Sequence, residues 1–200
     1  MRMLAPMSGM ETAVSIALGI GLAAAVGFRV FLPLLVASIA AWSGHLHLDA
    51  SFAWLGSLTA MTMLAVAAVV EVLAYYVPAV DNLLDSITTP LALVAGTVVS
   101  AAVITDLPPL IKWSTAIIAG GGVAAITQGV TTLVRAKSTA FTAGLGNPVL
   151  STIEMIAAVV IALLALLAPL VAIALVAAFC WFAMRLVRRF LRNGGTVKQP

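Results

Sequence analysis

Apolar residues run along the chain in long blocks, and polar positions fall into a few short interruptions between them. The first block extends from Glu11 through Trp42, with Gly27, Arg29 and Pro33 inside it. Further blocks cover 53–76, 90–105, 111–134 and 149–190. None shows the strict alternation of a half-buried strand. Several approach or exceed the roughly 18–20 apolar residues that carry a helix across a bilayer. The pattern predicts an all-α polytopic membrane protein with about six transmembrane helices. It excludes a β-barrel, whose strands alternate between lipid and lumen.

Local signals predict where the helices start and break. Ser8 and Glu11 have capping-box spacing. A helix from Glu11 to Arg29 rises about 27 Å, yet the apolar pattern continues to Trp42, too short a distance for a second crossing. Residues 11–42 are therefore one broken helix, or a helix followed by a half-length re-entrant segment. Pro78 ends the second span. Thr89 and Pro90 have the N-cap and first-turn chemistry to open the third, and Asn147 and Pro148 to open the fifth. Ser151 and Glu154 repeat the capping-box spacing. Broken or re-entrant segments are thus predicted near 27–42, 78–90 and 135–148. As one helix, 149–190 would be about 60 Å long, twice a bilayer; Pro169 is expected to split it into a hairpin of two spans. The domain organisation expected is an N-terminal tail at 1–10, a single transmembrane domain at 11–190 and a basic, polar tail at 191–200.

Composition agrees with the pattern. The chain is 63% hydrophobic and 8% charged, where a soluble domain carries roughly a quarter charged residues. The formal charge of +3 comes largely from the C-terminal arginines. Arg185, Arg188, Arg189 and Arg192 read as a topology anchor in contact with anionic lipid headgroups, not as a nucleic-acid surface. The positive-inside rule then puts both termini, Arg135 and Lys137 in the cytoplasm, along with segments 78–90 and 135–148. The loop at 43–52 falls on the opposite side. The N-terminus lacks the pattern of a cleaved signal peptide and reads as retained. Cys180, the one cysteine, reads as a small buried hydrophobe.

The informative residues are charges inside apolar segments, because each costs about 2.5–3.5 kcal/mol on insertion scales. Glu71 reads as an interfacial carboxylate or as a buried acid paired with Arg29 or Arg135. Asp81 and Asp85 are four apart and share a helix face; they read as caps of a short helix or as a cation or proton site. Glu154 is a capping residue or an acid facing Arg135. Asn147 lies beside Gly144 and Gly146, whose backbone amides would let an ion approach. His45 and His47 read as loop histidines, Met61 and Met63 as packing, and Gly120–Gly122 as a site of close helix contact.

Three blocks, GFRVFLPLL at 27–35, Glu71 with PAVDNLLD, and Arg135 with STAFTAGLGNPVLSTIE, occur in order with a closing apolar hairpin and basic tail. In this the chain resembles a bacterial integral membrane family, domain of unknown function 4126. The resemblance implies a small multi-pass protein of the bacterial cytoplasmic (inner) membrane, with no activity to carry over. It also implies that Arg29, Glu71, Asp81, Asp85, Arg135, Asn147 and Glu154 occupy family motif positions. The family's acidic pair near the last of these is only half present, since Met155 follows Glu154.

The functional expectation is a small transporter or channel for an ion or small charged solute, in which these acids and arginines form the binding site. The alternatives are a membrane scaffold or assembly protein, a lipid-phosphate carrier, or a magnesium-dependent lipid phosphotransferase using Asp81 and Asp85. The last would ordinarily need a second Asp-rich block, which the chain lacks. The partners expected are the bilayer, an ion or anionic solute and a homo-oligomeric copy. No cofactor is expected, and the sequence assigns no metal.

Overall fold

The computed structural model describes residues 9–105 and 107–193; the side chains of residues 78, 79, 81, 82, 183 and 186–193 lie outside that description. Ser8, expected to cap the first helix, and the polar C-terminal tail also lie outside it. The described residues form helices and no strand. In order these are α1 (Gly9–Val26), α2 (Phe31–Trp42), a 3-10 segment (Ala50–Gly56), α3 (Leu58–Ala74), α4 (Pro78–Val103), α5 (Pro109–Thr115), a π-helical segment (Ala116–Gly121), α6 (Gly122–Thr142), α7 (Asn147–Leu167) and α8 (Pro169–Asn193).

Four helical stretches are long and apolar enough to cross a membrane: Gly9–Val26, Leu83–Val103, Pro109–Thr142 and Asn147–Leu167. A fifth is added if the 3-10 segment and α3, bent by 63°, count as one. Large apolar side chains remain exposed along the outer faces, such as Val66, Val70 and Leu73 of α3 and Ile156, Val160 and Leu163 of α7. A water-soluble domain would bury such belts. The architecture is that of a multi-pass membrane protein.

α1 is the central helix. Its GLAAAV stretch at 21–26 is buried all round, and small side chains let α4, α7 and α8 approach closely. Gly19 faces Ser100 and Ala23 faces Gly96, so α1 and α4 are antiparallel. Four residues link α1 to α2, which turns back beside the 3-10 segment and α3: Ser38 Oγ donates to the carbonyl of Leu55 in the 3-10 segment at 2.6 Å. The loop after α2 returns to the end of α4, where the Asp49 amide donates to the Ala102 carbonyl at 2.8 Å. α1 and α2 are therefore a helical hairpin. Its open end lies beside the α4–α5 connection and its tip, 27–30, is buried deep among the other helices. The expected break near 27–42 is present as this hairpin.

Of the other two, the break near 135–148 is present only as the short turn 143–146, and the one at 78–90 is absent. α4 continues unbroken through Pro90 for 26 residues. Pro90 removes one helical N–H, and Thr89 bonds back to the Asp85 carbonyl at 2.7 Å instead of capping a new helix. In a membrane helix, Ser/Thr side chains and neighbouring helices offset a proline's lost bond. Likewise α6 does not end near Arg135 but runs on to Thr142. The turn to α7 is only four residues, with Ala143 and Gly144 at positive φ of 51° and 87°. Asn147 is not an N-cap; its Nδ2 donates to Thr139 Oγ1 at 2.9 Å and ties α7 to α6.

The expected division at Pro169 does occur, between α7 and α8. Gly120 allows the expected close approach, since a Cβ there would lie 2.5 Å from Ser100 Cβ; Gly122 has open space around it. α8 runs alongside α1, with Phe28 and Phe179 ring centres 5.8 Å apart. The described chain therefore begins at one end of the bundle and finishes at the other.

Candidate functional site

The hairpin tip carries Arg29, which is 2% exposed. Its Nη2 donates to the Ser151 carbonyl at 3.0 Å and lies 3.4 Å from Glu154 Oε2. Arg135, in the last third of α6, meets the same acid: its Nη2 is bonded to Glu154 Oε2. Arg135 Nη1 reaches Ser151 Oγ at 3.4 Å, and its Nε lies 3.4 Å from Asp85 Oδ2. One carboxylate oxygen thus bridges two guanidiniums, drawn from the hairpin tip and α6 onto α7.

Tyr75, which ends α3, joins the two arginines. Its ring centre lies 3.8 Å from the Arg29 guanidinium carbon and 4.3 Å from that of Arg135. Desolvated cation–π contacts are each worth up to ~2 kcal/mol or more. Here they offset the mutual repulsion of two buried cations. The Tyr75 hydroxyl donates to Asp85 Oδ1 at 3.2 Å and lies 3.1 Å from Thr88 Oγ1. Gln128 Nε2 donates to that same Thr88 oxygen at 3.0 Å. An ionised carboxylate only accepts. The protons in this chain therefore point one way, from Gln128 to Thr88 to Tyr75 to Asp85.

Glu71 does something else. Its Oε1 accepts the Val30 amide at 2.8 Å and its Oε2 accepts the Phe31 amide at 3.1 Å. α2 has no capping side chain of its own, and a helix start leaves amides in need of acceptors. Glu71 supplies them from α3. Arg29 is its nearest attractive charge and Glu154 a repulsive one. Among the described residues no ion pair joins Glu71 to an arginine, so the expected pairing is replaced by a helix cap.

Of the residues singled out in the sequence, Arg29, Glu71, Asp85, Arg135 and Glu154 gather at one buried site. Asn147 is buried two turns before Glu154, at the α6–α7 turn. Asp81 lies in the first turns of α4, its side chain outside the described residues. Ser151 and Glu154 form no capping box. They lie inside α7 facing the arginines, and Ser151 Oγ also bonds the Tyr75 carbonyl at 3.3 Å. His45 and His47 sit far off in the loop beyond α2. Among the described residues no three His, Cys, Asp or Glu side chains are grouped to hold a metal.

Sequence reasoning missed Tyr75, Thr88, Gln128 and Ser151. Their signal was spacing. On α7 the buried positions are Asn147, Ser151, Glu154, Ala158, Ala162 and Ala165, and on α6 they include Thr127, Gln128, Thr131 and Arg135. A polar stripe at helical period on an otherwise apolar helix faces the protein interior, not lipid.

The arrangement of these blocks has a counterpart among sequences. Residues 16–189 match the family described as Domain of unknown function (DUF4126). The chain belongs to this family. The matched region of this DUF4126 protein includes every residue of the buried cluster. No curated protein and no solved structure matches it.

Cavities border the DUF4126 helices. A groove of about 630 Å³ lies between α3 and α4, lined by apolar side chains such as Met63, Val66 and Leu91, with Glu71 and Thr88 the polar groups nearest the cluster. A pocket of about 220 Å³ is enclosed by α1, α6, α7 and α8 around Phe28, Thr127 and Phe179.

Proposed function

We propose that this protein carries a small charged solute across the bacterial cytoplasmic membrane and that the Arg29–Glu154–Arg135 cluster is its binding site. The observation behind this reading is the convergence of five ionisable side chains, from the hairpin tip, α3, α4, α6 and α7, in the interior of membrane-type helices. Buried charges in such helices are costly and commonly mark solute pathways or proton relays. A scaffold needs charge only at its surface. The helical hairpin whose tip reaches the site supports the same reading, because discontinuous helices build solute sites in transporters.

On this reading α3, α4, α5–α6, α7 and α8 cross the bilayer and α1–α2 enters and leaves on one face, giving five crossings and a re-entrant hairpin in place of six crossings. The C-terminal arginines and Lys137 face the cytoplasm, and the buried Arg135 lies nearer that side. The N-terminal segment faces outward, because the described chain starts and finishes at opposite ends. The α3–α4 groove, reaching Glu71 and Thr88 from the lipid side, favours a lipid-phosphate carrier as the second reading.

The test is flux into proteoliposomes loaded with the purified protein, using labelled phosphate, sulfate, sodium and potassium as probes. Protein-dependent uptake of at least one probe is expected, reduced tenfold or more by Arg135→Gln. Uptake of all four at the level of empty vesicles, with folded protein, overturns the reading.

A further inference from the structure

We propose that Arg29 and Arg135 form a site for an oxyanion, a carboxylate or phosphate-type group, whose resident occupant is Glu154, and that the anion is taken up together with one proton on Glu154. This deepens the transport reading by naming the solute class and rests on that reading only for its direction of movement.

The donors carry the argument. Arg29 Nε and Nη1 are fully buried and have no hydrogen-bond acceptor among the described residues. Leaving two buried charged donors without acceptors costs on the order of 1–3 kcal/mol or more each. Only its Nη2 is used, on the Ser151 carbonyl and Glu154. A planar guanidinium is built to grip an oxyanion with two parallel N–H groups, and each of its two such edges here, Nε with Nη2 and Nη1 with Nη2, has one idle donor. What already sits between the two arginines is one carboxylate oxygen, Glu154 Oε2, so the site holds an oxyanion now.

Charge balance supplies the proton. The groups facing Glu154 are Arg29 from the hairpin tip, Arg135 from α6 and Asp85 from α4. Glu71 of α3 stands behind Arg29, and the Tyr75 ring lies against both guanidiniums. Two guanidiniums face three carboxylates. Adding an anion would leave four negative groups on two cations in a dry interior. A proton placed on a Glu154 carboxylate oxygen removes one negative charge, frees both arginines and leaves the net charge of the site unchanged. The carboxylate gains the proton from water, the anion takes the two guanidiniums, and no other bond is made or broken.

The experiment uses the full chain in nanodiscs of neutral phosphatidylcholine. Acetate and methanesulfonate serve as probes, since the charge of both is constant between pH 6 and 8, and chloride at equal ionic strength is the control. Apparent affinity is read from the rise of the unfolding midpoint with probe concentration. Affinity is expected to tighten about tenfold for each pH unit lowered, as uptake of one proton requires. Glu154→Gln, which keeps the shape and removes the charge, is expected to bind as tightly at pH 8 as the parent does at pH 6 and to lose the pH dependence. Arg29→Lys is expected to weaken binding tenfold or more; if it does not fold, the Glu154→Gln result alone decides. PH-independent affinity in the parent, weaker binding in Glu154→Gln, or no shift by either probe overturns the proposal. Repeating the titration with phosphatidate in the discs assigns the source. Abolished acetate dependence makes it a lipid headgroup, and unchanged dependence makes it a free solute. Anion binding without flux would remove the transport reading and leave the site; cation flux without anion binding would do the reverse.

Discussion

The guanidinium carbon of Arg29 lies 3.8 Å from the centre of the Tyr75 ring. That contact places the hairpin tip against the end of α3, and Arg135 lies against the same ring. A single aromatic side chain therefore separates, and attracts, two cations that would otherwise repel each other in a dry interior.

Tyr75→Phe keeps the ring and deletes the hydroxyl that serves Asp85 and Thr88. The expected loss is about 1 kcal/mol, the net worth of an ordinary hydrogen bond. Tyr75→Leu removes the π face from both guanidiniums, and the expected loss is at least ~2 kcal/mol more. Unfolding midpoints of both variants in one detergent check the order. Equal losses would mean the ring face carries nothing.

Glu71→Gln leaves one acceptor oxygen for two amides and turns a donor toward the other. A loss of about 1–3 kcal/mol is expected, as for any buried donor left unpaired. The distinguishing measurement is hydrogen exchange. Protection should fall at Val30 and Phe31, at the start of α2, and hold in α4. A uniform fall would show that Glu71 does more than cap α2.

Arg135→Leu leaves the Glu154 carboxylate facing Arg29 alone and should cost about 3–5 kcal/mol, the usual penalty for breaking a buried pair. Glu154→Leu alone should be as severe, since it strands two arginines. The double variant Arg135→Leu with Glu154→Leu should be more stable than the sum of the single losses implies. A double-mutant cycle on thermal unfolding measures the coupling. Simple additivity would deny that the pair acts as a unit.

The loop after α2 is held by a different ion pair. Lys112 Nζ donates to Asp49 Oδ2 at 2.7 Å. That ammonium holds the Asp49 carboxyl below its usual range. A carboxyl whose folded value is lowered adds stability above its unfolded value of about 3.9, and that stability is lost as pH falls through the lowered folded value. The contribution is therefore constant between pH 5 and 8. Asp49→Asn should cost no more than ~1 kcal/mol at pH 7, given the partly exposed pair. The gap from the parent should close as the pH drops below about 4. A gap unchanged at pH 3 would count against the ion pair as its source.

The sequence identified Arg29, Glu71, Asp85, Arg135 and Glu154 by a single physical argument, the cost of charge among apolar residues. It offered Glu154 opposite Arg135 as one of two readings, and that pair is present; the other partners depend on how deep each helix sits. Glu71 reads in sequence as an interfacial carboxylate or as a buried acid against an arginine; it is buried and caps α2, since a carboxylate serves a bare helix start as readily as a cation. Pro90 and Pro148 look alike in sequence. One lies within α4 and the other opens α7, and the difference is set by Thr89 and by neighbouring helices that no local pattern reports. Tyr75 was missed, although it lies one helical turn after Glu71.

The bond from Arg29 to Ser151 joins positions 122 residues apart. During synthesis Arg29 emerges first and must wait for most of the chain before an acid on α7 can meet it. Until then Glu71 and Tyr75 of α3 are the partners the hairpin tip can reach. The Arg29 contact to Ser151 and Glu154 is therefore completed only when α7 arrives, so the site closes late in synthesis.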